Sequence, residues 1–441
     1  MFLYHQLLAR AAEGKPVRVA LIGAGKFGSM FLAQVPTTPG LTVTHIADLR
    51  VDSAKDACRH VGWDEGLIAA TRFTDDATSA IAADDVDVVV EATGHPRAGI
   101  AHAQAAFGAG KHIVMVNVEA DVLAGPALAR EAAAAGVVYT MAYGDQPALV
   151  AELVEWARCT GFDVTAAGKG TRYEPHFHQS TPENVWTQFG ITPDAAKAAG
   201  MNPKMFNSFV DGTKSGIEMA AIANACELNV PSDGLSFFPC GAHDLARTLR
   251  PKADGGQLEG KGFVEVVSSQ ERDGREVAGH LRQGVYVVIE APNDYAAACF
   301  GQYGLHPDPS GRYAAMYKPY HLIGLELSLS IQLAALEGKA TGSARAFVGD
   351  VVACAKTDLS AGTTLDGEGG FCVWGKLAPA DRSVAQRYLP IGLAQDVVLT
   401  KPVAAGEVVR LSDVQLDAGD EALTRLRGGM TPAPQIKFAA E

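Results

Sequence analysis

Lys214 and Glu218 stand four apart in the stretch GMNPKMFNSFVDGTKSGIEMAAIANA, residues 200–225. From Ile217 to Ala223 this stretch is apolar on every side except for Glu218. Such a segment reads as a helix buried all round. A lysine is disfavoured at its start, because a helix N-terminus already carries partial positive charge. An i,i+4 pair on a helix contributes only about 0.2–0.5 kcal/mol, and the order cation-then-acid is the weaker one. That gain does not offset burying two charges in an apolar helix. The pair is therefore expected to face a cleft. A cation there stabilises the negative charge that develops on a carbonyl oxygen during reduction, and a positioned acid supplies the proton. Lys214, or Lys204 on the preceding loop, is the candidate acid. Glu218 is expected to hold the lysine or relay a proton, and Asp211 to cap the helix and offset the lysine charge.

Three further stretches are rich in chemistry. AAGKGTRYEPHFHQSTPENVW carries Lys169, Arg172, His176 and His178. FFPCGAHDLARTLRP carries His243, Asp244 and Arg247. GRYAAMYKPYHLIGLELSLSIQLAAL carries Arg312, Lys318, Tyr320, His321 and Glu326. Lys169, Arg172, Arg312 and Lys318, with His321, are the candidates for gripping a phosphate, which cations bind through charge-assisted hydrogen bonds. His176 and His178 would share a face of a strand, but Pro175 and its polar neighbours favour a loop. No H-E-x-x-H or comparable ligand spacing occurs, so they read as ordinary loop histidines.

A cofactor-binding framework is legible upstream of these groups. Val17 to Ile22 is a short apolar run of the kind that forms a buried parallel strand. It leads into Gly23-Ala24-Gly25-Lys26-Phe27-Gly28, a G-x-G-x-x-G, and then into a helix-compatible segment. Strand before and helix after is the context that gives this weak motif its meaning. Gly23 makes the tight turn, Gly25 lets the backbone approach a pyrophosphate, and Gly28 lets helix pack on strand. Asp48 ends the next strand, where an acidic residue grips the adenosine ribose; Arg50 could instead meet a 2′-phosphate, so NAD and NADP both stay open. The alternation of strands and helices continues to about residue 150, which predicts a doubly wound parallel sheet. Ligands bind beyond the carboxyl ends of such strands. Glu91-Ala92-Thr93-Gly94, Asn117-Val118-Glu119 and Gly144-Asp145-Gln146-Pro147 fall at those ends and are expected to line the nicotinamide side.

Composition narrows the class. A chain of 441 residues with 48% hydrophobic and 20% charged residues has ample core for two to four domains. Its net charge of −13 argues against a nucleic-acid binder. The seven cysteines are scattered, with no C-x-x-C pair, so buried thiols in a reducing cytoplasm are expected. The start, MFLYHQLLARAAEGKPVRV, is too short and too charged for a secretory signal, and no apolar run is long enough for a membrane span.

On these motifs the first half resembles the nucleotide-binding domain of homoserine dehydrogenases. GMNPKMFNSFVDGTKSGIEM and YKPYHLIGLEL resemble a narrower group, the 1-deoxy-D-xylulose 5-phosphate reductoisomerase-like (DRL-type) oxidoreductases. The resemblance implies an α/β chain in three parts: a Rossmann NAD(P)-binding domain (1–150), an α+β catalytic domain (151–345) and a small mostly-β SAF-like domain (346–441). A helix near 320–337 is allowed to pack back on the first part. The near-echoes AKTDLSAGTTL and KPVAAGEVVRLSDV fit that last part. Where homoserine dehydrogenases carry a lysine after the strand equivalent to 113–117, this chain reads VNVEADV, so its acid must come from elsewhere. The resemblance implies reduction of a carbonyl of a small, phosphorylated polyol or sugar, as in the conversion of 1-deoxyxylulose 5-phosphate to 2-C-methylerythritol 4-phosphate. NADP(H) is the implied cofactor, with NAD(H) open, and the implied assembly is a homodimer or higher homo-oligomer. If the carbon skeleton rearranges on a divalent ion (Mg or Mn), Asp211 and Glu218 are the expected ligands. A simple dehydrogenase without isomerisation and a non-catalytic dinucleotide or sugar sensor are the alternatives.

Overall fold

The structure is a computed structural model that describes residues 3–198 and 200–435. It contains two compact units: one runs to Glu152 and regains His321–Arg345, the other holds Leu153–Tyr320 and the chain from Ala346 onward.

The first unit is built on six strands, β1 (Val17–Ile22), β2 (Leu41–Ala47), β3 (Arg72–Thr74), β4 (Val88–Glu91), β5 (His112–Met115) and β6 (Tyr139–Met141). All pair in parallel, in the order β3-β2-β1-β4-β5-β6. This is the Rossmann arrangement, and the strand order reverses between β1 and β4. Helices on both faces explain why the strands are continuous apolar runs rather than alternating ones. Register sets Ile22 beside Glu91, so the loops leaving β1 and β4 flank one crevice. The returning helix Ser328–Glu337 belongs to this unit, with Leu327 and Ile331 in the same core as Val90 and Val114. The Ser330 hydroxyl donates to the Met141 carbonyl (3.0 Å) and accepts from the Tyr143 N–H (2.8 Å).

One buried acid in this unit makes stability depend on pH. Asp121 is 2% exposed and accepts a hydrogen bond from the Tyr139 hydroxyl at 2.8 Å. Burial pushes its carboxyl up to about 6, and the Tyr139 bond opposes this only in part. The folded protein therefore holds the proton that the unfolded chain releases near pH 4. This contribution is complete below that pH and is lost as pH rises through about 6. In Asp121→Asn that loss should disappear. Relative to the parent, the variant should gain on the order of 1–3 kcal/mol between pH 4.5 and pH 8, read by urea unfolding.

The second unit holds a five-stranded mixed sheet of β7 (Asp163–Thr171), β8 (Phe238–Pro239), β9 (Phe263–Ser268), β10 (Val285–Glu290) and β11 (Tyr313–Lys318), in the order β11-β10-β7-β9-β8. One face carries Ala166, Val267, Tyr286 and Val288 against Leu245, Leu249, Leu258 and Leu281. The chain then forms β12 (Gly349–Ala355), β13 (Thr364–Asp366), β14 (Val373–Pro379), β15 (Gln395–Leu399) and β16 (Val414–Gln415). β12 pairs with β14, and β13-β15-β16 form a second small sheet. The two near-echo segments hydrogen-bond to each other about a pseudo-two-fold: Leu359 and Val403 exchange both backbone bonds (2.8 and 2.9 Å). Gly362 N–H reaches Leu399 O while Gly406 N–H reaches Ala355 O.

The helix Thr213–Cys226 sits inside this unit and is buried at every position but Lys214. One side meets the five-stranded sheet through Glu218. Another meets the C-terminal strands so closely that a Cβ on Gly216 would stand 2.9 Å from Gly375 O. Asn224 clasps the start of β12, accepting from Val348 and Gly349 N–H (2.8 and 2.9 Å). The sequence is apolar all round because protein surrounds it all round.

Candidate functional site

The Gly-rich loop leaves β1 at the reversal point. Gly23 has φ +93°, and a Cβ there would stand 2.8 Å from Ala92 O, so only glycine passes beneath the β4 loop. A Cβ on Gly28 would stand 2.6 Å from Gly23 O. Gly25 differs: a Cβ there would meet nothing within 4 Å. It precedes the helix Lys26–Gln34, which starts with no side-chain cap. The first N–H groups of that helix are thus available to an anion, which fits a dinucleotide pyrophosphate. Lys26 is exposed on the first turn and Phe27 packs against the core. Asp48 holds the loop from the end of β2, accepting from Ala24 N–H and Arg50 N–H, both at 2.9 Å. Arg50 is exposed beside it.

The same geometry separates two glycines experimentally. Gly25→Ala is expected to leave the thermal stability of the unliganded protein unchanged and to weaken NADPH binding at least about 10-fold, because only a ligand comes near that Cβ. Gly28→Ala should lower both, because its Cβ meets backbone. Fluorescence titration with NADPH and thermal melts read the two effects.

The strand-end loops behave unequally. Thr93 and Gly94 are exposed after β4, and the Thr93 hydroxyl donates to Glu91 Oε1 at 2.5 Å. Glu91 is fully buried, lies 3.2 Å from His102 Nδ1, and keeps Oε2 without a hydrogen bond among the described residues. Its place at a strand end is what marks it in the sequence. Glu119 is half-buried on the first turn of the helix Val118–Ala134. Two other strand-end positions are engaged locally. Asn117 is 2% exposed, and its side chain caps that helix at Ala120 N–H (3.1 Å) while donating to His95 O (3.0 Å), so its carboxamide is spent on local structure. The 144–147 loop is covered by its own chain: a Cβ on Gly144 would meet Leu322 O at 2.8 Å, and Asp145 is buried.

In the second unit the carboxylates find partners that sequence spacing does not suggest. Glu218 forms a buried ion pair with Lys169 of β7. Lys169 is 6% exposed and Glu218 2%. Strand register sets Lys169 opposite Val285 and Val285 opposite Lys318. Paired residues share a face, so Lys169 and Lys318 lie in one row, about 10 Å apart across two strand spacings. Lys214 is half-buried one turn before Glu218.

Other candidates are held elsewhere. Asp211 is fully buried and pairs with Lys356 at 2.8 Å, while its other oxygen accepts from Thr213 N–H (2.9 Å). Its carboxylate thus meets the first N–H of the helix Thr213–Cys226 and the Lys356 ammonium. The Lys204 ammonium donates to Asp366 O at 2.6 Å, a tie to β13. Arg172 donates to Gln270 Oε1 (2.8 Å) and to Gln188 O, and lies over the Phe177 ring. Arg312 pairs with Glu290 at 2.9 Å. Glu290 and Val285 are opposite ends of β10, so Arg312 lies roughly 17 Å from the Lys169 row at 3.4 Å per residue. His321 is half-buried and belongs to the first unit. The pairing of Asp211 and Glu218 with separate lysines does not fit a shared divalent ion, and the described residues contain no group of three His, Cys, Asp or Glu that could hold one. His178 belongs to a short 3-10 turn, Pro175–Gln179, rather than an open loop.

Residues 23–141 match the family of the homoserine dehydrogenase NAD-binding domain. That match agrees with the Rossmann arrangement of β1–β6 and supports dinucleotide binding by the first unit. Residues 144–327 match the catalytic domain of oxidoreductase DRL, and the two matches together support a DRL-type oxidoreductase. No curated protein matches the chain. Similar solved structures include a 3-ketoreductase from Actinomadura kijaniata in complex with NADP, at 20% identity and TM-score 0.27 over 36% of this chain and 48% of that one. A myo-inositol dehydrogenase from Lactobacillus casei is 15% identical with TM-score 0.35, over 62% and 71% of the two chains. A putative oxidoreductase from Klebsiella pneumoniae is 18% identical with TM-score 0.35, over 75% and 88%. The chain spans less than half the length of the ketoreductase. No helix among the described residues is long and apolar enough to cross a membrane.

Proposed function

We propose that the chain is an NAD(P)H-dependent oxidoreductase that reduces a carbonyl of a small, phosphorylated polyol or sugar, with 1-deoxyxylulose 5-phosphate as the first substrate to test. The observation that carries this reading is the buried Lys169–Glu218 pair with Lys318 in its row. Removing two charges from water is unfavourable, and a hydrophobic pair would serve the fold as well. A charge pair kept buried at that cost is read as serving chemistry rather than the fold. The nicotinamide cofactor, when bound, supplies the hydride. Lys169 holds the carbonyl oxygen, stabilises its developing charge and delivers the proton that completes the alcohol. Glu218 fixes the ammonium in place, and the proton that Lys169 gives up is replaced from solvent once the product has left. Lys318 binds the substrate phosphate. Gly25 and the helix from Lys26 hold the cofactor pyrophosphate. In this reading residues 1–150 hold cofactor, 151–345 supply the chemistry and 346–441 form the SAF-like part.

A second reading is a dehydrogenase of a small hydroxy acid or sugar derivative without isomerisation. It is favoured by the commitment of Asp211 and Glu218 to separate lysines, which leaves no shared carboxylate site for holding a diol on a divalent ion. Incubation with NADPH and carbon-13-labelled 1-deoxyxylulose 5-phosphate tests both. Consumption of NADPH with a branched product by NMR supports the reductoisomerase, and an unbranched reduced product the dehydrogenase. NADPH binding without turnover across a panel of sugar phosphates and hydroxy acids would sink both and leave a sensor.

A further inference from the structure

The helix Thr213–Cys226 has two working sides. Lys214 and Glu218 lie on one; Gly212, just before it, and Gly216 lie roughly opposite, at 3.6 residues per turn. Against the two glycines is a pocket of about 210 Å³. Its other walls are His178, Phe237 and, from β14, Trp374 and Lys376. All of these residues belong to the second unit.

Phe237 has φ +51°, a conformation that a bulky residue rarely adopts. It is held there on two sides. Its N–H and that of Ser236 donate to the buried Glu265 carboxylate at 3.3 and 3.1 Å. Its ring stacks on Tyr173, with centroids 4.0 Å apart and 11° between planes. Backbone strain of this kind survives only where the surroundings over-determine it, and it clusters at ligand sites.

His178 stacks on Trp374 at 3.9 Å and 23°. Its Nδ1 lies 2.7 Å from Asp211 O, and a carbonyl only accepts, so Nδ1 carries the proton. Nε2 then accepts from the Tyr173 hydroxyl at 3.0 Å. Burial lowers the pKa of the ring, so it stays neutral at physiological pH. The wall is therefore aromatic, uncharged and fixed in one tautomer. At the rim Lys376 pairs with Asp233 at 2.9 Å, and Asp233 is 90% exposed. That rim offers donors and acceptors with no net charge. Aromatic faces take C–H surfaces, and a balanced polar rim takes hydroxyls without favouring either ion.

We propose that this pocket is a second small-molecule site, which binds a neutral sugar or polyol and is separate from the Lys169–Glu218 pair. It stands independently of the oxidoreductase reading. The full chain is titrated with erythritol, xylitol, D-glucose and D-galactose by calorimetry and tryptophan fluorescence. Saturable binding of at least one is expected, weakened at least about 10-fold by Trp374→Ala and about 3-fold by Asp233→Ala. Asp233 is exposed, so its variant keeps the test usable if Trp374→Ala does not fold. Lys169→Met should retain the binding. No saturable binding of any of the four, binding unchanged in both pocket variants, or displacement of the sugar by inorganic phosphate would overturn the proposal. Loss of binding in a folded Lys169→Met protein would also overturn it, by placing the ligand on the other side of the helix. Intact sugar binding in a protein inactive toward every carbonyl tested supports the pocket and counts only against the oxidoreductase reading.

Discussion

Lys169→Met is expected to lower kcat/KM for NADPH-dependent carbonyl reduction at least about 100-fold, the usual effect of removing one donor aimed at a developing oxyanion. NADPH affinity should stay within about 2-fold, because the Gly-rich loop belongs to the other compact unit. The substitution also leaves Glu218 buried without its partner, and breaking a buried pair this way costs about 3–5 kcal/mol. Activity and stability must therefore be read apart. The double variant Lys169→Met/Glu218→Gln removes both charges and should recover most of the lost stability while recovering none of the turnover. A merely structural pair would recover both. Lys204→Ala should keep near-normal turnover, because its ammonium is already tied to Asp366 O. If Lys214→Ala loses activity while Lys169→Met keeps it, the acid is Lys214, and the Lys169–Glu218 pair only positions it.

The contrast between these lysines shows where sequence reading reached and where it stopped. The nucleotide-binding half was legible because its signals are local. An apolar run, three glycines at fixed offsets and an acid at the next strand end all fall within 32 residues, Val17 to Asp48. The all-round burial of the helix at 213–226 was legible for the same reason, since composition around one helix is a local property. Partner choice was not. Glu218 has Lys214 one turn away in sequence, yet the ion pair it makes is with Lys169, brought in by the fold of β7 against the helix. Arg312 and Lys318 are close in sequence, but β11 carries them to opposite ends of the sheet. Asn117 and Asp145 show that polar residues at strand ends serve turns and helix starts as readily as they serve ligands.

Nothing in the sequence marks Lys356: it follows the strand Gly349–Ala355 and opens a bend. In the fold it is 6% exposed, and its ammonium donates to Asp211 Oδ2 (2.8 Å), Ser180 O (2.7 Å) and Gly370 O (2.7 Å). An ammonium has three protons, and all three are used. No donor remains for a substrate, so the group is a clasp that joins three segments at the start of the helix Thr213–Cys226. Lys356→Met leaves the fully buried Asp211 carboxylate alone and two carbonyls without a donor, and should destabilise the protein by about 3–5 kcal/mol. Asp211→Ala should cost a similar amount by stranding the ammonium. The double variant Lys356→Met/Asp211→Asn removes both charges, so its loss should be smaller than the sum of the two single losses, a coupling that denaturant unfolding measures directly. Well below the unfolding transition, the kcat of Lys356→Met should stay within about 3-fold of the parent, because a clasp acts on the population of folded protein and not on the reacting atoms. A drop in kcat as deep as that of Lys169→Met, in protein shown to be folded, would mean that the clasp sets the geometry of the catalytic side of the helix as well as holding its start.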